Sequence, residues 1–192
     1  MPPEALGDRP AGRCGGRSRA GVSAQGLGAL VSDVFNHLEE TDVTTAVTIS
    51  PFPLTNKGEE GHPVQTLQHL LRARGHSVAV DGDFGPLTEA AVRAFQQSKG
   101  LTVDGLVGNQ TWSALIIQVA KGSTGDAVRG VQEEFQFRNL SGDPAQGVQI
   151  DGDFGPKTDA AVRGFQDALG LSADGIVGPL TWRALVSGML AG

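Results

Sequence analysis

Apolar residues recur at helical spacing in two groups of three short stretches, with glycine between them. In the first group Val64, Leu67, Leu70 and Leu71 share one face of a helix predicted over 63–74. Pro63 suits the first helical position, where a missing N–H costs nothing, and Gly75 suits a left-handed stop. A second helix is predicted over 86–99, ending at Gly100, with Thr88, Ala91, Val92 and Phe95 turned inward. A third, over 109–117, is short and presents Trp112, Leu115 and Ile116. Val78 and Val80, like Val148 and Ile150 further on, alternate and read as a short extended run before an Asp-Gly turn.

The second group repeats the first. Asp81-Gly82-Asp83-Phe84-Gly85-Pro86 returns 70 residues later as Asp151-Gly152-Asp153-Phe154-Gly155-Pro156, and the register holds without a gap to Leu115 and Leu185. Upstream the offset is 64, aligning Gly61, Val64, Leu67 and Gln68 with Gly125, Val128, Val131 and Gln132. The second copy therefore has six extra residues, which places an insertion in the loop around 140–144, since surface loops tolerate insertions. The predicted fold is all-α: two tandem three-helix modules, at 58–118 and 119–192, preceded by a mostly irregular N-terminal segment.

That segment differs in composition. Residues 1–25 are rich in Gly, Pro, Arg, Ser and Ala, have little to bury, and are expected to be disordered. Within 26–57, Leu27, Leu30, Val31, Val34, Phe35 and Leu38 fit a short amphipathic helix over 27–38, a possible docking element for a protein partner. The tract 43–54 is β-branched and proline-punctuated, an extended lead-in. No secretory signal is read, because the apolar stretch is brief, late and interrupted by Asp33.

Composition narrows the function classes. No run approaches the about 20 apolar residues of a membrane span. The lone Cys14 permits no intrachain disulfide. Net charge is −6, with 10 basic against 13 acidic residues after residue 60. No basic stripe is available to neutralise phosphates, so neither nucleic acid nor membrane is an expected partner.

The ordered string Gly61-x-x-Val64-x-x-Leu67-Gln68, Asp81-Gly82-x-Phe84-Gly85-x-x-Thr88, Ala91-Val92-x-x-Phe95-Gln96, Gly100-Leu101, Asp104-Gly105-x-Val107-Gly108 and Thr111-x-x-x-Leu115 resembles the type 1 peptidoglycan-binding modules. The second copy matches throughout except for Val131 in place of Leu67. The resemblance implies a three-helix module that holds bacterial cell-wall peptidoglycan through stem peptide and glycan, with a cell-wall or extracellular location. Fold likeness alone does not establish function.

Candidate ligand contacts in the first module are Asp83, Phe84, Arg93, Gln96, Asp104 and Trp112. Their counterparts are Asp153, Phe154, Arg163, Gln166, Asp174 and Trp182. Each has a structural reading beside the functional one. The aspartates suit Asx turns and helix starts better than an EF-hand loop, which needs a terminal Glu at fixed spacing. Arg93 and Arg163 follow Glu89 and Asp159 by four residues, the spacing of a helix-surface ion pair; a stem-peptide carboxylate is the alternative partner. Gln96 and Gln166, like Gln68 and Gln132, can satisfy loop backbone groups. Trp112 and Trp182 could stack on sugar, although their spacing with Leu115 and Leu185 favours a half-buried core role. His62, His69 and His76, seven residues apart, lack the i, i+4 spacing of a helical zinc site and are read as surface residues.

No His-Glu-x-x-His, Gly-x-Ser-x-Gly or phosphate-cradling loop occurs, so the chain is read as non-enzymatic, without cofactor or metal. The expected function is wall binding that anchors the chain or a partner. The alternatives are a protein-interaction scaffold and an accessory subunit of a separate wall hydrolase.

Overall fold

The computed structural model describes residues 49–139 and 147–188. Its contacts divide the chain into two units, Met1–Thr45 and Ala46–Gly192, and both repeats belong to the second. Cys14, the amphipathic stretch 27–38 and the insertion around 140–144 lie outside the described residues.

Among the described residues six helices form, three per repeat: α1 His62–Ala73, α2 Pro86–Ser98, α3 Asn109–Leu115, α4 Asp126–Phe137, α5 Pro156–Ala168 and α6 Pro179–Val186. No named strand occurs among the described residues. Val78 and Val80 lie in an irregular stretch that joins no ladder. The pairing that does exist is four isolated bridges, Thr55 with Val107, Glu60 with Asp83, and the same two contacts in the second repeat at Val119–Val177 and Thr124–Asp153. The extended lead into each module thus pins the two turns that follow it.

Proline sets three of the helix starts, standing first in α2, α5 and α6. α1 begins one residue before Pro63, at His62, and stops at Ala73 with Gly75 at φ 87° behind it. α3 ends two residues short of the predicted 117, because Ile116 leaves helical geometry at ψ 141°. Arg74 explains the stop: its guanidinium donates to the Leu115 carbonyl at 2.9 Å and the Ile116 carbonyl at 2.6 Å, satisfying groups the helix end would orphan. Arg138, aligned with Arg74 by the offset of 64, donates in the same way to the Leu185 carbonyl.

Buried apolar side chains run through both modules as one core, from Phe52 through Phe84, Phe95 and Trp112 to Phe154, Phe165 and Trp182. The modules meet where α1 crosses α4. Close approach is possible because Gly130 on α4 has no side chain. A Cβ there would stand 3.5 Å from the His69 Cβ and 3.8 Å from the Thr66 methyl. The crossing also buries a charge. Glu134 is fully buried, accepts from the Thr66 hydroxyl at 2.7 Å across the interface, and pairs with Arg138 at 2.7 Å.

This packing corrects the surface reading of the histidines. His69 is buried, 3.8 Å from the Asp126 carboxylate and 4.0 Å from Glu133. His62 is half-buried, stacked on Phe137 with ring centroids 3.8 Å apart. His76 is half-buried and meets the Phe95 ring edge-on. The helix face that an isolated module would show to water is covered for His62 and His69 by the second module. Burial lowers the His69 pKa, so the ring is held neutral between its acidic neighbours.

Candidate functional site

One structural device occurs four times. In each case a buried glutamine on a helix reaches an Asp-Gly-x-(Phe or Val)-Gly-x-x-Thr segment that follows it. Gln96 on α2 accepts from the Gly105 N–H at 3.0 Å. Its amide nitrogen faces the Asp104 carboxylate at 2.8 Å, the Leu106 carbonyl at 2.9 Å and the Thr111 hydroxyl at 3.3 Å. Asp104 also closes its own Asx turn by accepting from the Leu106 N–H at 2.9 Å. Gln166 repeats every contact with Gly175, Asp174, Ile176 and Thr181. Gln68 and Gln132 do the same for the turns at Asp81 and Asp151.

The chemistry explains the residue types. Only a side-chain amide offers both the acceptor for the glycine N–H and the donors for carboxylate, carbonyl and hydroxyl. Glycine is required in the turn: Gly105 has φ 74°, and a Cβ on it would lie 3.0 Å from the Arg93 side chain. The bonded carboxylates are held below the usual aspartate range. For Asp104 and Asp174 the first cause is the backbone N–H two residues on, and the second is the glutamine amide. Both are therefore anionic, and both are exposed.

Beside the Asp104 and Asp174 turns lies a groove, and it is the same groove in each module. The first, about 280 Å³, runs between Leu54, Leu101, Leu106 and the start of α3, with Gln96, Asp104 and Thr111 in its lining. The second, about 320 Å³, places Gln118, Leu171, Ile176, Gln166, Asp174 and Thr181 at the corresponding positions. An exposed apolar wall, Leu106 or Ile176, stands next to an anionic edge. The grooves differ where Leu54 of the first becomes Gln118 of the second, and where Asn109 and Gln110 become Pro179 and Leu180.

The predicted contacts separate into three sets. Gln96 and Asp104 line the first groove, as Gln166 and Asp174 line the second, while Arg93 and Arg163 lie against Gly105 and Gly175 of the same turns, outside the groove linings. Arg93 lies along Glu89 at 3.0 Å and donates to the Val103 carbonyl; Arg163 pairs with Asp159 and donates to the Ala173 carbonyl. Asp83 and Asp153 sit apart, exposed on the other turn of each module. Phe84, Phe154, Trp112 and Trp182 are buried in the core and offer no ring face to a sugar. Each indole N–H is spent on a lead-in carbonyl, Pro53 for Trp112 at 2.9 Å and Ile117 for Trp182 at 2.8 Å.

Sequence reasoning missed the groove walls Leu54, Leu101, Leu106, Leu171, Ile176 and Leu180. A signal existed in the turn itself. Leu106 and Ile176 put a large apolar residue where the Asp81 and Asp151 turns put aspartate, and both are solvent-exposed. Among the described residues no group of three or more His, Cys, Asp or Glu is arranged to hold a metal, and no helix is long and apolar enough to cross a membrane.

The two repeats match, over residues 60–115 and 124–185, a family model described as a peptidoglycan binding domain. The chain is 42% identical over 104 residues to the zinc D-Ala-D-Ala carboxypeptidase of Streptomyces albus G, covering 53% of this chain and 38% of that protein. It is 34% identical over 167 residues to the N-acetylmuramoyl-L-alanine amidase CwlL of Bacillus licheniformis, covering 72% of this chain and 46% of that one. A solved peptidoglycan-binding protein from Clostridioides difficile, in complex with glutamine hydroxamate, is 39% identical with a TM-score of 0.34, covering 36% of this chain and 44% of that chain. The chain thus spans less than half the length of these two curated relatives.

Proposed function

Since the chain belongs to the peptidoglycan-binding domain family in both of its repeats, we propose that it binds cell-wall peptidoglycan without catalysis, through the two equivalent grooves. The observation that supports this most is the recurrence of one groove at matching positions in both modules, apolar on one wall and anionic on its edge. The exposed Leu106 and Ile176 side chains suit the apolar faces of sugar rings or alanyl methyls. Asp104 and Asp174 suit ammonium, amide N–H or hydroxyl donors of the stem peptide and glycan. The place of action on this reading is the cell wall, where the chain retains itself or a partner.

The carboxypeptidase and the amidase named above are hydrolases, and most of their length lies outside the match. That favours a second role for the same binding, in which the chain brings a hydrolase to its substrate. Co-sedimentation of the full chain with purified insoluble peptidoglycan tests the primary reading. Native protein is expected in the pellet, and a Leu106→Glu/Leu180→Glu variant in the supernatant. Equal retention of both would sink the groove assignment. For the second role, hydrolase activity on wall should drop when this chain is withheld.

A further inference from the structure

The contacts between α1 and α4 reveal how the two modules are related in space. The repeat aligns His62 with Asp126, Thr66 with Gly130 and His69 with Glu133. His69 packs on Asp126 at 3.8 Å, and at the other end His62 approaches the Glu134 carboxylate at 3.4 Å, one residue past the strict counterpart Glu133. The start of α1 meets the end of α4, where His62 stacks on Phe137. The end of α1 meets the start of α4, where Arg72 pairs with Asp126 at 3.3 Å. At the centre Thr66 and Gly130, which are counterparts, face one another. Contacts in which position i meets j′ while j meets i′ define an isologous interface, the signature of a two-fold axis. The two modules are paired as a pseudo-symmetric dimer within one chain.

A two-fold axis constrains what the two grooves can hold. Each groove occupies the same place in its own module, so the same rotation relates them. A rotation by half a turn maps a straight line onto itself only if the line crosses the axis at right angles, which reverses its direction, or is the axis itself. A glycan strand has a direction, with a reducing and a non-reducing end. One straight strand cannot therefore enter both grooves in the same sense. Modules related by translation, as in an extended tandem array, would allow it.

We infer that the paired modules are two-headed, each groove holding a separate peptidoglycan strand, so that one chain bridges two strands. This rests on the reading that the grooves bind peptidoglycan. The sequence differences between the grooves, Leu54 against Gln118 and Asn109-Gln110 against Pro179-Leu180, are then differences between two independent sites, not subsites of one. Their joint effect is cross-linking of neighbouring strands, with retention on an insoluble wall raised by two-point attachment.

The test uses the full chain, solubilised glycan strands carrying stem peptides, and a short disaccharide-peptide. The native chain should bind two equivalents of the short fragment. Mixed with long strands it should raise light scattering at low protein-to-strand ratio, and excess protein should reverse the rise as every strand becomes singly decorated. Leu106→Glu and Leu180→Glu, at positions 42% and 54% exposed and so compatible with folding, should each halve the stoichiometry. Each should also abolish the scattering while still binding strands. Strand binding by the native chain without any rise in scattering, or bridging by a single-groove variant, would overturn the two-headed arrangement alone. No binding of fragment, strand or wall by the native chain would overturn the parent reading as well.

Discussion

Replacing Gln96 with alanine is the most informative perturbation of the fold. The side chain is 1% exposed, and its amide serves four groups of the Asp104 turn. Truncation leaves the buried Gly105 N–H without its acceptor and takes the amide donor from the Asp104 carboxylate and the Leu106 carbonyl, leaving the carbonyl only the Thr111 hydroxyl at 3.3 Å. Each orphaned group costs roughly 1–3 kcal/mol, and the groove alongside lets water recover part of that. The expected loss is about 2–4 kcal/mol, a large share of the stability of a small domain. Urea unfolding at neutral pH, followed by the fluorescence of the buried Trp112 and Trp182, measures it. Gln97→Ala, on the exposed side of the same helix, serves as control and should stay within about 0.5 kcal/mol of native. Gln96→Glu should be at least as damaging, because it sets a second carboxylate against Asp104 where the amide nitrogen stood 2.8 Å away. A loss below about 0.5 kcal/mol for Gln96→Ala would refute the view that this amide organises the turn.

Further outcomes follow from the module interface and the titrating groups. Thr66→Val removes the hydroxyl bond to buried Glu134 and should cost about 1–3 kcal/mol in the same unfolding experiment. Gly130→Ala fits at van der Waals distance and should be tolerated, whereas Gly130→Leu must displace the Trp182 ring or His69 and should lower Tm markedly. Stability should fall on acidification in two windows. His69, whose pKa burial lowers, stays neutral in the fold while the unfolded chain takes up a proton, so stability declines below pH 6.5, and His69→Gln should remove that part. Asp81, Asp104, Asp151 and Asp174 are depressed by their turn N–H groups and glutamines, so their contribution is complete above 3.8 and lost as pH falls through their lowered values. Glu133, raised by burial, opposes the first window, becoming less costly as pH falls towards 4.5. A pH–stability profile of native protein and the His69→Gln variant checks the signs.

The helices were legible because their signals are local. Val64, Leu67, Leu70 and Leu71 mark one face, and proline and glycine mark most of the ends. The end of α3 was not, since it is set by Arg74, 41 residues away from Leu115 in sequence. The histidines went wrong for a related reason. Periodicity within one module shows which face packs on that module, and says nothing about a face covered by its partner. Gly130 carries no apolar signal in the sequence, yet it is where α4 packs against His69 and Thr66 of α1. The glutamine-turn device was half visible. Gln68 and Gln96 were both tied to loop backbone, but their kinship was hidden by unequal spacing, 13 residues from Gln68 to Asp81 and 8 from Gln96 to Asp104. The groove was the least legible feature, because its walls come from the lead-in, the turn and the next helix, and only folding brings Leu54 beside Leu106 and Gly108.

The most direct test of groove binding is amide chemical-shift mapping on the full, isotope-labelled chain, titrated with a soluble disaccharide-peptide from peptidoglycan. Each module contains two turns of the same construction, so each holds its own internal control. The account predicts saturable shifts at Gly105, Leu106, Gly175 and Ile176, with Gly82 and Gly152 left still. Shifts centred on Gly82 and Gly152, or none at any of the six at millimolar ligand, would contradict it.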